Sequence, residues 1–343
     1  MNTSSLDERA RSLEGRELEW GLGPDEVCLP VIRWWCEAYE DACPLYADGE
    51  FAAKGPFGGV IAPPAMLWSF TRPPYWPQVE REGGNGGVIR ISNNAFGYSE
   101  NLVQRIDWKS TAPLRLGDRA GVRERIISVS PEKTTHLGTG RFTKLERRFY
   151  NQHDQDLGVV TVTFFSFDGS KRTPRKESPG VVPAGAQPPK RSELESGARR
   201  LAFRETRAWK DVQEGEVLPT VQLPLDVTRM VWMAYLSRDF NPFHHDLEYA
   251  RANGAPHMFV QWASYLGFIY RFLNEWAGPG AWISDVSYQL MHMNLAHDTM
   301  SASGCVVRKY QQDGKNWVEL EFALSNERGV STPGTALVSL PLA

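Results

Sequence analysis

Asp239-Phe240-Asn241-Pro242-Phe243-His244 sets a carboxylate and an imidazole five residues apart around an Asn-Pro turn. A carboxylate and an imidazole that share one water can move protons at neutral pH, because imidazole titrates close to that range. Asn241 can orient His244 or cap the turn. Pro242 fixes its own φ, which restricts the geometry of the pair. Taken by themselves, the same six residues also suit a helix-capping loop.

A degenerate copy lies upstream as Asp41-Ala42-Cys43-Pro44-Leu45-Tyr46. The offset is constant, since 239−41, 242−44 and 244−46 all equal 198. Asp48 and Asp246 match at that offset, as do Ala52 and Ala250. An internal repeat with one complete and one decayed site is expected. Tyr46 stands where His244 stands in the complete copy, and an unperturbed phenol titrates only near ~10. Asp41 is therefore expected to be structural or capping rather than a second base.

The elements that must position these residues can be read from periodicity. Amphipathic segments at Val27–Ala42 and Asp226–Ser237 precede the two Asp-Pro turns. Asp246 suits an N-cap and Gly254 a C′ residue for a short helix through Tyr249. Longer apolar helices are expected over Ala62–Phe70 and Phe259–Trp276. Strands are expected over Leu102–Ser110, Leu114–Val129, Leu137–Tyr150 and Val159–Phe167, then Trp282–Met293, Met300–Tyr310, Val318–Asn326 and Thr332–Leu340. A long helix followed by an antiparallel sheet predicts an α+β unit in which the sheet wraps the helix. Residues 170–200 are rich in Pro, Gly, Ser and charge and read as a linker. The domains expected are thus 1–169 and 201–343.

The 343 residues suffice for two such domains. A net charge of −3 argues against a nucleic-acid binder. The four cysteines form no C-x-x-C pair and read as reduced thiols, with neither a disulfide framework nor a zinc site. The polar, charged start shows no secretory signal, so a cytoplasmic protein is expected. The most apolar long segment, Met258 to Leu273, is interrupted by Gln261, Ser264 and Arg271, so no membrane association is expected. His244, His245, Asp246 and His257 match no usual zinc spacing, and no metal is expected. His245, His292 and His297 read as structural, and His257 as part of a surface loop. The basic run Lys171–Lys176 reads as solvated linker.

Asp-x-Asn-Pro-x-His at Asp239–His244 resembles the signature of the MaoC-like (R)-specific enoyl-CoA hydratases. Ala234-Tyr235-Leu236-Ser237-Arg238, His245-Asp246, Ala250 and Gly254-Ala255-Pro256 extend the likeness, with Arg238 where the family usually has Gly. The first half resembles that family's degenerate N-terminal domain through Tyr46-Ala47-Asp48, Ala52, Gly55-Pro56-Phe57-Gly58-Gly59, Ile61-Ala62-Pro63-Pro64 and Pro113–Asp118. The resemblance implies a double hotdog fold with one site per chain, and a hydratase or dehydratase of acyl-CoA thioesters. Asp239 and His244 would hold the attacking water, with Asn241 and Pro242 supporting them, and the product would be a (3R)-3-hydroxyacyl-CoA. The family commonly binds the thioester oxygen with a backbone N–H from a His-Gly pair at the start of the long helix. Here that stretch reads Met258-Phe259-Val260-Gln261, so Val260 or Gln261 would be the donor. No cofactor beyond the coenzyme A carrier is implied, and a homodimer is expected. The alternatives are a hotdog thioesterase and a non-catalytic acyl-CoA-binding or partner subunit.

Overall fold

The computed structural model describes residues 3–78, 80, 82–135, 137–169 and 205–343; the segment read as a linker lies outside them. The helices are α1 (Thr3–Leu13), α2 (Leu29–Tyr39), α3 (Gly49–Lys54), α4 (Val88–Phe96), α5 (Val227–Ser237), α6 (Leu247–Ala252) and α7 (Trp262–Ala277). The strands are β1 (Glu17–Leu22), β2 (Glu100–Ser110), β3 (Ala120–Val129), β4 (Lys133–Thr135), β5 (Gly138–Asn151), β6 (Asp156–Phe167), β7 (Val217–Pro224), β8 (Trp282–Gln289), β9 (Thr299–Gln312), β10 (Lys315–Asn326) and β11 (Gly329–Leu340).

The described chain falls into two compact units. One gathers residues up to Asp25, Phe70–Ala112 and the chain from Arg119 through β6; the other gathers Glu26–Ser69, Pro113–Asp118 and 205–343. The helical part of the first repeat thus belongs to the same unit as the second repeat.

In the first unit the strands run β1-β3-β5-β6-β2, all antiparallel, with β4 pairing β5. The helix packed on β3 and β5 is α4. Its N-terminus is fixed by Glu124, a fully buried carboxylate that accepts from the Val88 N–H at 3.1 Å, the Trp20 indole at 3.1 Å and Arg147 at 2.5 Å. A buried carboxylate needs such partners. Gly87, with φ of 61°, leads into this helix, and a Cβ there would sit 1.9 Å from a Glu124 carboxylate oxygen. Only glycine fits.

In the second unit the strands run β8-β11-β10-β9-β7, again antiparallel. Val318, Leu320, Phe322 and Leu324 alternate into the core along β10, the period-two pattern of a half-buried strand. Almost every residue of α7 is buried, including Ser264, Arg271 and Asn274, as expected of a helix covered on all sides. α2 packs on it where Gly267 leaves room, since a Cβ there would approach the Tyr39 ring to 2.8 Å and Trp35 to 3.0 Å. Arg271 and Arg229 close the end of α2. They hold the Tyr39 and Ala38 carbonyls at 3.0 Å each and share Glu40 at 3.3 and 2.6 Å. Among the described residues no helix is long and apolar enough to cross a membrane.

The repeat is present in the backbone. α2 and α5 are offset by 198 at both ends (227−29 and 237−39), and so are α3 and α6 (247−49 and 252−54). Glu40 and Arg238, again 198 apart, both close their helices in the left-handed region, with φ of 53° and 55°.

Three expectations need correction. Ala62–Phe70 is not a long helix but a 3₁₀ turn at Pro64–Met66 and a single helical turn at Leu67–Phe70. Pro63-Pro64 cannot continue a helix from upstream. Leu114–Val129 is not one strand. Asp118 turns the chain by accepting the Arg115 N–H at 2.8 Å, and β3 begins at Ala120. β8 stops at Gln289 rather than Met293. Sequence periodicity also missed α1, α4, β1 and β7.

Candidate active site

The site is built on the reversal that follows α5. Asp226 caps the start of α5 through the Arg229 N–H at 2.7 Å. At the far end the Asp239 N–H returns to the Ala234 carbonyl at 3.1 Å. Left-handed Arg238 makes that return possible, because one residue at positive φ folds the chain back over the last carbonyls. Asn241 then caps the Pro242–His244 turn by accepting from the Phe243 N–H at 3.3 Å. Of its two candidate roles, Asn241 performs the capping one. Asp246 caps α6 through the Tyr249 N–H at 2.9 Å, and its repeat partner Asp48 does the same for Phe51 at 3.0 Å.

This backbone brings Asp239 and His244 together, with His244 Nε2 lying 3.9 Å from Asp239 Oδ2. The imidazole is nearly enclosed, at 9% side-chain exposure, while the carboxylate keeps 26%. His244 Nδ1 is 2.8 Å from the Phe259 carbonyl oxygen. A carbonyl only accepts, so Nδ1 carries the proton. The Nε2 lone pair is then turned towards Asp239. Burial pushes the His244 pKa below its ordinary value, and the Asp239 carboxylate and the Phe259 hydrogen bond only partly oppose it. A neutral imidazole with a free Nε2 beside a carboxylate can accept a proton from a water bonded to both.

The aromatic surroundings fix the pair further. His244 stands edge-on to Phe259 with ring centroids 5.0 Å apart, and Phe243 packs between Phe259 and Tyr249 at 5.4 and 5.3 Å. A cavity of about 250 Å³ lies on the same turn, lined by Val231, Ala234, Tyr235, Phe240 and His245.

Of the two expected oxyanion donors, Val260 is corrected. Its N–H is already donated to the Asn294 carbonyl at 2.9 Å. Gln261 stands at the N-cap of α7, where its side chain accepts from the Ala263 N–H at 2.7 Å. Its amide nitrogen donates to Ser264 Oγ at 2.7 Å, and the same oxygen accepts from the Tyr39 hydroxyl at 2.6 Å. The start of a helix presents N–H groups and the positive end of the dipole, which favours a developing oxyanion.

His245 faces away from this pair, with Nε2 3.2 Å from the Phe240 carbonyl. His257 is buried rather than on a surface loop, at 6% exposure. Its Nδ1 accepts the Met258 N–H at 2.9 Å, and it meets His297 edge-on at 5.3 Å. Burial, then His297 and Arg251, hold its pKa low.

The decayed copy has become framework. Asp41 accepts the Cys43 N–H at 3.0 Å, and Asn274 of α7 donates to the Tyr46 hydroxyl at 3.0 Å. Burial raises the Asp41 carboxyl from 3.8 to about 6 and drives the Tyr46 phenol up as well. All four cysteines are free. Among the described residues no group of three or more His, Cys, Asp and Glu could hold a metal ion.

Known proteins share this fold. A family profile for the FAS1-like dehydratase domain region matches residues 19–159. The chain is 30% identical over 185 residues to the probable enoyl-CoA hydratase alpha subunit of Thermomonospora curvata, covering 53% of this chain and 58% of that subunit. It is 38% identical over 90 residues to the 3-oxo-4,17-pregnadiene-20-carboxyl-CoA hydratase beta subunit of Mycobacterium tuberculosis, 26% of this chain and 70% of that one. A solved MaoC-like dehydratase shares the fold with a TM-score of 0.71 at 17% identity, over 97% of this chain and 100% of the other. The chain belongs to the MaoC-like hotdog hydratase family, and its fold is a double hotdog. It spans 58% of the length of the alpha subunit it matches.

Proposed function

We propose that this chain is a hydro-lyase that adds water to a trans-2-enoyl-CoA to give a (3R)-3-hydroxyacyl-CoA, or runs the reverse dehydration. The observation that carries this reading is the Asp239–His244 pair, 3.9 Å apart, with Nδ1 of the imidazole committed to the Phe259 carbonyl.

In the hydration direction Asp239 and His244 hold one water between them. His244 Nε2 takes a proton from it as the hydroxyl oxygen bonds to Cβ. The Cα=Cβ electron pair moves towards the thioester, whose oxygen gains negative charge. The N–H groups at the start of α7, Gln261 first among them, meet that charge. The proton held on His244 is then delivered to Cα on the same face, and the pair returns to its starting state. Asn241 and Pro242 hold the turn in shape. Water is the only other reactant, and coenzyme A serves as the carrier, with no further cofactor.

Matches to both an alpha and a beta hydratase subunit support a single chain that carries both kinds of half. We expect two such chains to pair as a homodimer, which light scattering reads directly.

The test is a panel of enoyl-CoAs, from crotonyl to long-chain and ring-bearing, incubated in heavy-oxygen water and read by mass spectrometry. One labelled oxygen should enter the product. Asp239→Asn and His244→Ala should each slow the reaction roughly 10²- to 10⁴-fold. Release of free acid would mark a thioesterase instead. Tight binding without turnover across the panel would mark a binding subunit.

A further inference from the structure

The imidazole of His244 is governed by something 15 residues away in sequence, the main-chain carbonyl of Phe259. That carbonyl belongs to the same peptide unit as the Val260 N–H. A trans peptide is planar, and its C=O and N–H point in opposite directions. Whatever grips the Val260 N–H therefore aims the Phe259 oxygen. The grip is the Asn294 carbonyl at 2.9 Å.

Asn294 is fully buried, and each of its polar groups is bonded. Its N–H donates to the Tyr265 hydroxyl at 3.3 Å. Its side-chain amide donates to the same hydroxyl at 3.2 Å and to Ser331 Oγ at 2.9 Å. Its side-chain oxygen accepts from Asn326 at 2.7 Å. Ser331 in turn donates to the Leu324 carbonyl at 3.1 Å. On one side of this contact the two segments are tied further by a bridge between Phe259 and Leu295 and by Ala296 N–H donating to Met258 at 2.9 Å. α7, β10 and the start of β11 thus all fix the one residue that holds the peptide.

We propose that Asn294 is a positioning residue for His244, acting through the Phe259–Val260 peptide to hold the imidazole in its Nδ1–H tautomer. The inference rests on the hydratase reading for its kinetic consequence, but not for its structural one. Two effects combine. The direction of the Phe259 carbonyl selects which ring nitrogen keeps the proton. An amide whose N–H is engaged also has a more polarised carbonyl, so it binds the Nδ1 proton more firmly. Loosening Asn294 lets the peptide rotate and lets the Nε2–H tautomer compete. In that tautomer the nitrogen facing Asp239 can no longer accept a proton.

The test uses the full chain with nitrogen-15-labelled histidine and reads the ring nitrogens by NMR at a pH above the imidazole range. In the wild type His244 should show a protonated Nδ1 and an unprotonated Nε2. Asn294→Ala should shift both signals towards the average of the two tautomers. His153, between β5 and β6 in the other compact unit, should not move and serves as the internal control. Asn326→Leu removes the bond to the Asn294 side-chain oxygen, along with the Asn326 contacts to Asp298 and the Arg328 N–H, and leaves the other bonds of Asn294 in place, so it gives a smaller shift in the same direction and decides the matter if Asn294→Ala does not fold. On enoyl-CoA, kcat should fall roughly 10- to 100-fold in Asn294→Ala, with KM changed by less than about twofold. Unchanged His244 signals in a folded variant would overturn the proposal. A wild type that shows the expected tautomer but hydrates nothing would sink the hydratase reading and leave this one standing.

Discussion

Asp41→Asn separates the decayed site from a working one, and its effect can be worked out in advance. Burial lifts the Asp41 carboxyl from 3.8 to about 6. Between those values the folded chain holds a proton that the unfolded chain has released, so stability falls as pH rises through that window and is flat above it. At about 1.4 kcal/mol per pKa unit, ionising Asp41 costs the fold about 3 kcal/mol at neutral pH. Asparagine keeps an oxygen for the Cys43 N–H and cannot ionise. Urea unfolding of both proteins from pH 4 to pH 7 should therefore show the stability difference moving by about 2.4 kcal/mol in favour of the variant, the rest of the change lying below pH 4. The change with pH carries the test, because the extra buried N–H₂ of asparagine shifts the whole curve by a constant. His244, whose lowered pKa works in the opposite direction below its ordinary value, is common to both proteins and cancels. Hydration activity should be unchanged. Parallel pH curves would refute the buried-carboxyl reasoning, and a lost activity would show that Asp41 is a second base after all.

Gly267→Ala would drive a methyl to 2.8 Å from the Tyr39 ring, and overpacking of that kind should cost about 1–3 kcal/mol in urea unfolding. The pH profile of kcat/KM should keep its plateau down to the ordinary histidine value of 6.5 and fall only below it, because burial lowers the pKa of His244; an acid limb above that value would contradict this. Arg238→Gly should raise stability by roughly 0.5–1 kcal/mol, since glycine takes the left-handed region without the Cβ clash; thermal melts would reveal a loss if the Arg238 side chain matters more than its backbone.

The parts of this protein written in short-range chemistry were legible in its sequence. The Asp-Pro turn, its 198-residue echo, the long helix ending near Trp276 and the alternating strands β6 and β10 all have local causes in turn residues and in periods of two or 3.6. The helix α4 was not legible. At nine residues, with Asn93 and Asn94 inside it, it exists because Glu124 from another strand holds its first N–H. The expected helix at Ala62–Phe70 failed for the opposite reason, because apolar composition outweighed two adjacent prolines. At the site, Asp239 and His244 could be named because their side chains are the chemistry. The Phe259 carbonyl could not, since every residue has one. Asn294 looked like any asparagine near a strand end until its carbonyl was seen against Val260.

The repeat also has a length record. Its helices and turns keep one spacing of 198, but β2 and β8 start 182 apart (282−100), and β6 and β11 start 173 apart (329−156). The first half therefore carries 16 more residues (198−182) between its turn and its first matching strand. Both helical copies lie in one compact unit, where α2 packs on α5 and α7, so lengthening one copy would misalign it against the other. The matching strands lie in different units. The shared spacing of 198 is thus kept where the two copies pack against one another.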